Sequence, residues 1–283
     1  MYISVATANL YYLPFAQAVD IIAAAGYADV ELALFWEGGA WAMAQHLRGL
    51  TGREAARILA RAGLRVASIH DGGGLLPRAD AVAGYVNPLL REYIDALGEA
   101  PDCIVFHPPH APGAAGEEWW REMAPQVVQA LDAYRADCGA VTLENAPLLD
   151  DFTVPLTAPA DLAAFCAQHG FGVTLDTSHY AQMGVDVPAA AAALRGAVRS
   201  VHLSDYADGR SHVFVGEGSI DLPAVLGALD GAALYGVTLE CSVGFPREDV
   251  RRMAPAQMVE RLRLAGERLR AWLACAGQEG PVG

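Results

Sequence analysis

Short apolar or β-branched runs alternate along this chain with longer stretches rich in Ala, Leu and Arg, whose apolar residues recur at helical period. That rhythm is the mark of repeated βα units. The runs that read as strands are Ile3 to Thr7, Asp29 to Leu34, Arg65 to His70, Cys103 to His107, Ala140 to Glu144, Gly172 to Asp176, Arg199 to Ser204 and Gly236 to Cys241. Between them, Pro14 to Ala25, Arg53 to Ala62, Glu117 to Ala136 and Ala158 to His169 read as helices, with Gly26, Gly63, Gly139 and Gly170 standing where helix C-caps are expected. Eight even units in 283 residues favour a single closed (β/α)8 barrel over an open doubly wound sheet, and no G-x-G-x-x-G follows the first strand. The barrel is expected over residues 1–276 and a frayed C-terminal tail over 277–283. In the last helix, roughly Pro255 to Ala276, Arg261, Arg263, Arg268 and Arg270 are expected to form a solvated face.

Charge narrows the chemistry. All 19 basic residues are arginine, so reactions that need a lysine amine are excluded: Schiff-base aldol chemistry, pyridoxal phosphate linkage and a P-loop. A formal charge of −14 repels a phosphate backbone, which argues against nucleic acid and for a small-molecule substrate. The five cysteines form no C-x-x-C pair and are expected to be reduced and mostly buried. The start has no basic leader and no apolar run approaches the ~18 residues of a membrane span, so a soluble, cytoplasmic protein is expected. Single barrels often dimerise, and a homodimer is the assembly expected.

In a closed barrel, chemistry gathers at the C-terminal ends of the strands. His70, His107, Glu144, Asp176 and Glu240 end their runs there, His202 lies within the seventh, His179 follows Asp176 by three residues, and His212 lies in the loop after the seventh. A lone histidine at a strand end is more often a hydrogen-bonded core or surface group than a ligand. Convergence on one rim reverses that expectation. Carboxylates and imidazoles crowded together repel and desolvate, and a bound cation is the usual offset. Mixed N and O donors suit Zn, Mn, Co or Fe better than Ca. Glu144 ("AVTLEN") and Glu240 ("GVTLEC") each follow an apolar triplet where an unpaired buried carboxylate would be costly. His46, His110 and His169 lie off the pattern, and Trp36, Trp119 and Trp120 suit either a pocket wall or plain packing. The glycines of "DGGGLL" and "GEGS" read as turn formers.

With these residues laid out, the chain resembles the xylose isomerase-like TIM barrels, a superfamily of sugar isomerases, ketose epimerases and type IV apurinic endonucleases. The most specific stretches are "VTLENAP" (Val141 to Pro147), "GVTLDTSHYAQMGVD" (Gly172 to Asp186), "VHLSDYADGRSHVFVGEGSIDL" (Val201 to Leu222) and "VTLEC" (Val237 to Cys241). The isomerase and epimerase branch implies one divalent metal held by Glu144, Asp176, His202 and Glu240. It implies Glu144 and Glu240 as the acid/base pair working through a metal-stabilised enediolate, and His179 steadying a substrate oxygen. The substrate implied is a small sugar, sugar phosphate or polyol ketone. The endonuclease branch implies further metal ligands at His70, His107, His179 and His212. Its remaining aspartate falls on Arg210, which cannot ligate a cation but suits a phosphate or carboxylate, with Asp205 or Asp208 as substitute ligands. The alternative function is therefore a multinuclear phosphoesterase of a small phosphodiester or, less well supported, of DNA; a catalytically silent barrel is the third reading.

Overall fold

The computed structural model describes residues 1–34, 47, 49–72, 85–113, 116–244 and 250–277. Trp36, His46 and the tail beyond Gly277 lie outside them. The barrel strands are β1 (Tyr2–Ala6), β2 (Asp29–Leu34), β3 (Arg65–Asp71), β4 (Cys103–Phe106), β5 (Ala140–Glu144), β6 (Gly172–Asp176), β7 (Val198–Leu203) and β8 (Gly236–Leu239). Each pairs in parallel with its sequence neighbours, and β1 pairs with β8, which closes the barrel. Around it run α1 (Phe15–Ala24), α2 (Gly52–Ala62), α3 (Leu90–Ala96), α4 (Glu117–Asp132), α5 (Pro159–His169), α6 (Thr177–Gln182), α7 (Val187–Leu194), α8 (Leu222–Ala228) and α9 (Pro255–Cys275). The chain is thus a single (β/α)8 barrel. Among the described residues no helix is long and apolar enough to cross a membrane.

Successive strand residues face opposite sides of a sheet, and the three related runs AVTLE, GVTLD and GVTLE use that period. Their Val and Leu belong to the apolar core packed under the helices. Their Thr and terminal acid alternate with these and face inward, where Thr142 and Thr174 hydrogen-bond at 2.7 Å and Thr238 meets Ser4 at 2.8 Å. The barrel interior is therefore floored by hydroxyls and topped by acids.

Two register shifts set which residues look inward. Between β2 and β3 the pairing passes from Val30 opposite Val66 to Glu31 opposite Ser68. Between β6 and β7 it passes from Val173 opposite Val198 to Thr174 opposite Ser200, which brings Asp176 opposite His202. An extra residue reverses the parity of every side chain beyond it; without the shift at Arg199, Val201 would occupy the place of His202.

The glycine C-caps are observed at Gly63 and Gly170, both with positive φ, whereas Gly26, also at positive φ, stands one residue beyond the Ala25 C-cap of α1. Gly139 is not one of them. Helix α4 stops at Asp132, short of the expected Ala136, with Ala133 as its C-cap. Gly139 instead permits close approach, since a Cβ there would lie 2.7 Å from the Asp102 carbonyl. Thr7 likewise leaves the first strand and begins a short 3-10 turn.

The C-terminal helix α9 also departs from expectation. Arg263 pairs along its own helix with Glu260 and Glu267, as a solvated face would. Arg261, however, grips the Glu217 carboxylate with both guanidinium nitrogens and lies 3.6 Å from the Phe214 ring centroid, while Arg268 donates to the Val215 carbonyl at 2.6 Å. These two arginines fasten α9 to the segment that follows β7.

Candidate metal centre

The inward ends of the strands converge. Glu144, Asp176, His202 and Glu240 each offer one ligand atom, and all four atoms lie within 4.8 Å of one another. The side chains of Glu144, Asp176 and His202 are inaccessible to solvent, and that of Glu240 nearly so. His202 Nδ1 stands 2.8 Å from Glu240 Oε2 and 3.2 Å from Glu144 Oε2. His70 and His107 approach Glu144 Oε2 through Nε2 at 3.3 and 3.2 Å. These separations lie in ion-pair range, yet both Glu144 oxygens, Glu240 Oε2, Asp176 Oδ2 and His202 Nδ1 lack hydrogen-bond geometry. The donor atoms are thus crowded together in the interior without the hydrogen bonds that would satisfy them. Buried polar atoms left in that state are costly, and an N and O donor set of this kind fits a divalent transition ion.

Local structure fixes which atom each residue presents. Asp176 Oδ1 caps α6, accepting from the His179 backbone at 2.7 Å and from the Ser178 hydroxyl at 3.0 Å, which leaves Oδ2 for the cup. A carbonyl can only accept, so the contact of His179 Nδ1 with the Asn145 carbonyl (2.9 Å) places a proton on Nδ1 and leaves Nε2 as the nitrogen free of that tether. His212 is held the same way by the Glu240 carbonyl at 3.0 Å, at the cost of a left-handed backbone with φ of 55°. The Asn145 side chain bridges β5 to β6, donating to the Asp176 carbonyl at 2.9 Å and accepting from its N–H at 2.8 Å.

Electrostatically the cup attracts positive charge. Burial alone would depress the imidazoles, but Glu31, Glu144 and Glu240 push His202 well above its ordinary range, and Asp176 and Glu144 push His179 up to about 9. Burial would raise the carboxylates, yet the imidazoles override it, holding Glu144 well below its usual range and Glu240 at about 2. His70 goes the other way: burial lowers it despite Glu144 and Glu240, and its ring lies 4.9 Å from that of His202, so charge on one opposes charge on the other.

All five rim histidines anticipated from the sequence meet here. Besides the set of four, His70 and His107 group with Glu144, and His179 and His212 group with Asp176. Arg210 is the exposed residue of a two-stranded ribbon (Asp205–Ala207 with Arg210–Val213), its guanidinium 3.9 Å from Asp208. Neither substitute aspartate suits a metal: Asp208 projects into solvent, and Asp205 accepts the backbone N–H groups of Tyr206, Gly216, Gly218 and Ile220 at 2.9–3.1 Å. That carboxylate folds the loop after β7. The glycine at 218 is required there, because a Cβ would fall 2.3 Å from Asp205 Oδ1. His110 lies between the Pro108 and Pro147 carbonyls, 3.0 Å from Nδ1 and 3.3 Å from Nε2, and Trp119 and Trp120 sit on α4 against the core, the Trp120 ring tilted toward that of Phe165 at 5.3 Å.

One member of the cluster escaped the sequence reading. Glu31, fully buried in β2, accepts from Ser68 at 2.8 Å and from His202 Nε2 at 3.0 Å, and groups with His70, His202 and Glu240. The signal was present in "DVELAL", a carboxylate within an apolar strand, but it sits mid-strand rather than at the C-terminal end.

No match is found among curated protein sequences. Among solved structures, an L-ribulose 3-epimerase superposes with a TM-score of 0.68 at 18% identity, covering 98% of this chain and 96% of that one. A D-tagatose 3-epimerase-like protein superposes at 0.70 and 16%, covering 98% and 99%. A xylose isomerase domain protein from Alicyclobacillus acidocaldarius gives 0.67 and 19%, covering 98% and 99%. At such identities the likeness is one of fold. The model of the xylose isomerase-like TIM barrel family matches residues 19–264, and the chain belongs to that family.

Proposed function

We propose that this barrel is a divalent-metal-dependent isomerase or epimerase of a small sugar, sugar phosphate or polyol ketone. The observation that carries the reading is the buried convergence of Glu144, Asp176, His202 and Glu240, whose donor atoms all lie within 4.8 Å of one another. A divalent ion bound there would polarise a substrate carbonyl and acidify the neighbouring C–H. Glu144 and Glu240 both sit low in pKa and are therefore ionised at neutral pH, the form in which a carboxylate can accept a proton. One can take the proton from the carbon beside the carbonyl while the other returns one, from the opposite face for an epimerase. His179, its Nδ1–H tied to Asn145, presents Nε2 to a substrate oxygen. Two of the solved structures sharing the fold carry the names of ketose 3-epimerases, which supports a ketose as the substrate class.

The test combines elemental analysis with isotope exchange. Protein purified without added metal or chelator is expected to hold about one Mn, Co, Zn or Fe ion per chain. Incubated with ketoses in D2O, it is expected to place solvent deuterium on the carbon beside the carbonyl. Glu240→Gln should keep its far-UV circular dichroism and lower kcat roughly 10²–10⁴-fold; unchanged turnover would sink the acid/base role.

A second reading has its own support. The group of His70, His107 and Glu144 shares Glu144 with the set of four, the arrangement a bridged multinuclear phosphoesterase of a small phosphodiester would need. His107→Ala should cost a one-ion isomerase little and a bridged hydrolase most of its activity. Two or more Zn or Fe ions per chain would favour the hydrolase.

A further inference from the structure

Glu31 takes no part in the ligand set or the proton transfer set out above, yet it is a fully buried carboxylate in the wall of the cup. Such a group is expensive unless its environment uses the charge. Both polar contacts of its Oε2 are donors, the Ser68 hydroxyl at 2.8 Å and His202 Nε2 at 3.0 Å, and its Oε1 lies 3.8 Å from His70 Nδ1. The register shift between β2 and β3 is what sets Ser68 opposite Glu31.

A histidine that ligates a cation has given up its second proton to make room for the ion, so a ligating His202 is neutral and carries one N–H, which a carboxylate accepts. With the proton on Nε2 toward Glu31, His202 Nδ1 becomes a lone pair 2.8 Å from Glu240 Oε2 and 3.2 Å from Glu144 Oε2. We propose that Glu31 is the positioning carboxylate of the metal centre, holding His202 as its Nε2–H tautomer so that Nδ1 faces the donor atoms of Glu144, Asp176 and Glu240. The inference rests on reading that cluster as a metal site. The negative charge behind the ring also makes the ligating nitrogen more basic, the usual effect of a carboxylate behind a metal-bound histidine. Because Oε1 lies toward His70, whose Nε2 approaches Glu144, one buried anion backs two imidazoles of the cup.

The full-length protein is titrated with Co(II) in competition with a chromophoric chelator, as wild type and as Glu31→Gln. That variant is close to isosteric and keeps an acceptor oxygen for His202 but removes the charge. Its Co(II) affinity is expected to fall roughly ten- to a hundred-fold with a shifted d–d absorption band, while its metal-free melting temperature stays near that of the wild type. A merely structural role would do the reverse, moving the metal-free melting temperature and leaving affinity and spectrum alone. Affinities within twofold and an identical cobalt spectrum overturn the inference while the reading of the cup stands. Failure of the wild type to hold Co(II) overturns both. Should Glu31→Gln fail to fold, the long-range ¹H–¹⁵N spectrum of the Zn(II)-loaded wild type decides: Nε2–H on His202 is expected, and Nδ1–H overturns the assignment.

Discussion

At the residue scale, His110 illustrates a histidine near the rim that serves structure. Burial, helped by the nearby His107, pulls its pKa down to about 4, although the Pro108 and Pro147 carbonyls oppose this. The unfolded chain protonates it near 6.5 and the folded chain only near 4, so between those values the unfolded state binds more protons. Its contribution to stability is therefore complete above pH 6.5 and is lost as the pH falls toward 4, by at most about 3 kcal/mol. His110→Gln should remove this component, so its urea midpoint should fall less between pH 7 and pH 4.5 than that of the wild type; parallel losses would refute the assignment. Legibility at this scale depended on position. Residues closing a strand, such as Glu144 and Asp176, announced themselves, because an acid after an apolar run needs a reason. Glu31 needed the same reason but lay mid-strand, and the bridging role of Asn145 depends on two strand ends that only the closed barrel brings together.

At the scale of elements, the strand cores were readable from period and composition, and their ends moved by a residue or two. The register shifts at Ala67 and Arg199 were not readable, because whether a strand absorbs an extra residue depends on the partner beside it. The loop after β7 hid its cause for a similar reason. Asp205 looked like a spare ligand, but its value is as a common acceptor for four backbone N–H groups up to fifteen residues away. Asp205→Asn should cost about 2 kcal/mol, since bonds to a charged acceptor are the stronger kind. A change in urea midpoint corresponding to less than about 0.5 kcal/mol would show that the loop holds without that charge. Arg261 adds a second fastening from α9 through Glu217 and Phe214. Its fork and flat face are not reproduced by lysine, so Arg261→Lys should lose about 1 kcal/mol in the same measurement.

At the scale of the whole molecule, the barrel gathers at one end four acids, Glu31, Glu144, Asp176 and Glu240, in a chain already carrying a formal charge of −14. A divalent ion bound there stabilises the folded state by mass action, about 2.7 kcal/mol at a hundredfold excess over Kd. For a domain of this size the melting temperature should rise by roughly 4–5 °C on adding Mn(II) or Co(II) to chelator-treated protein, a shift that differential scanning calorimetry reads directly. No shift would count against the cup as a metal site. Glu144 has a further consequence, because it belongs both to the set of four and to the group with His70 and His107. A carboxylate held in common ties two occupancies into one equilibrium. Whatever factor an occupant of one group imposes on binding at the other is returned unchanged in the opposite direction. The cup would then load cooperatively, favouring or resisting a second ion according to how Glu144 divides its two oxygens, and the metal available in solution could select how many ions it holds.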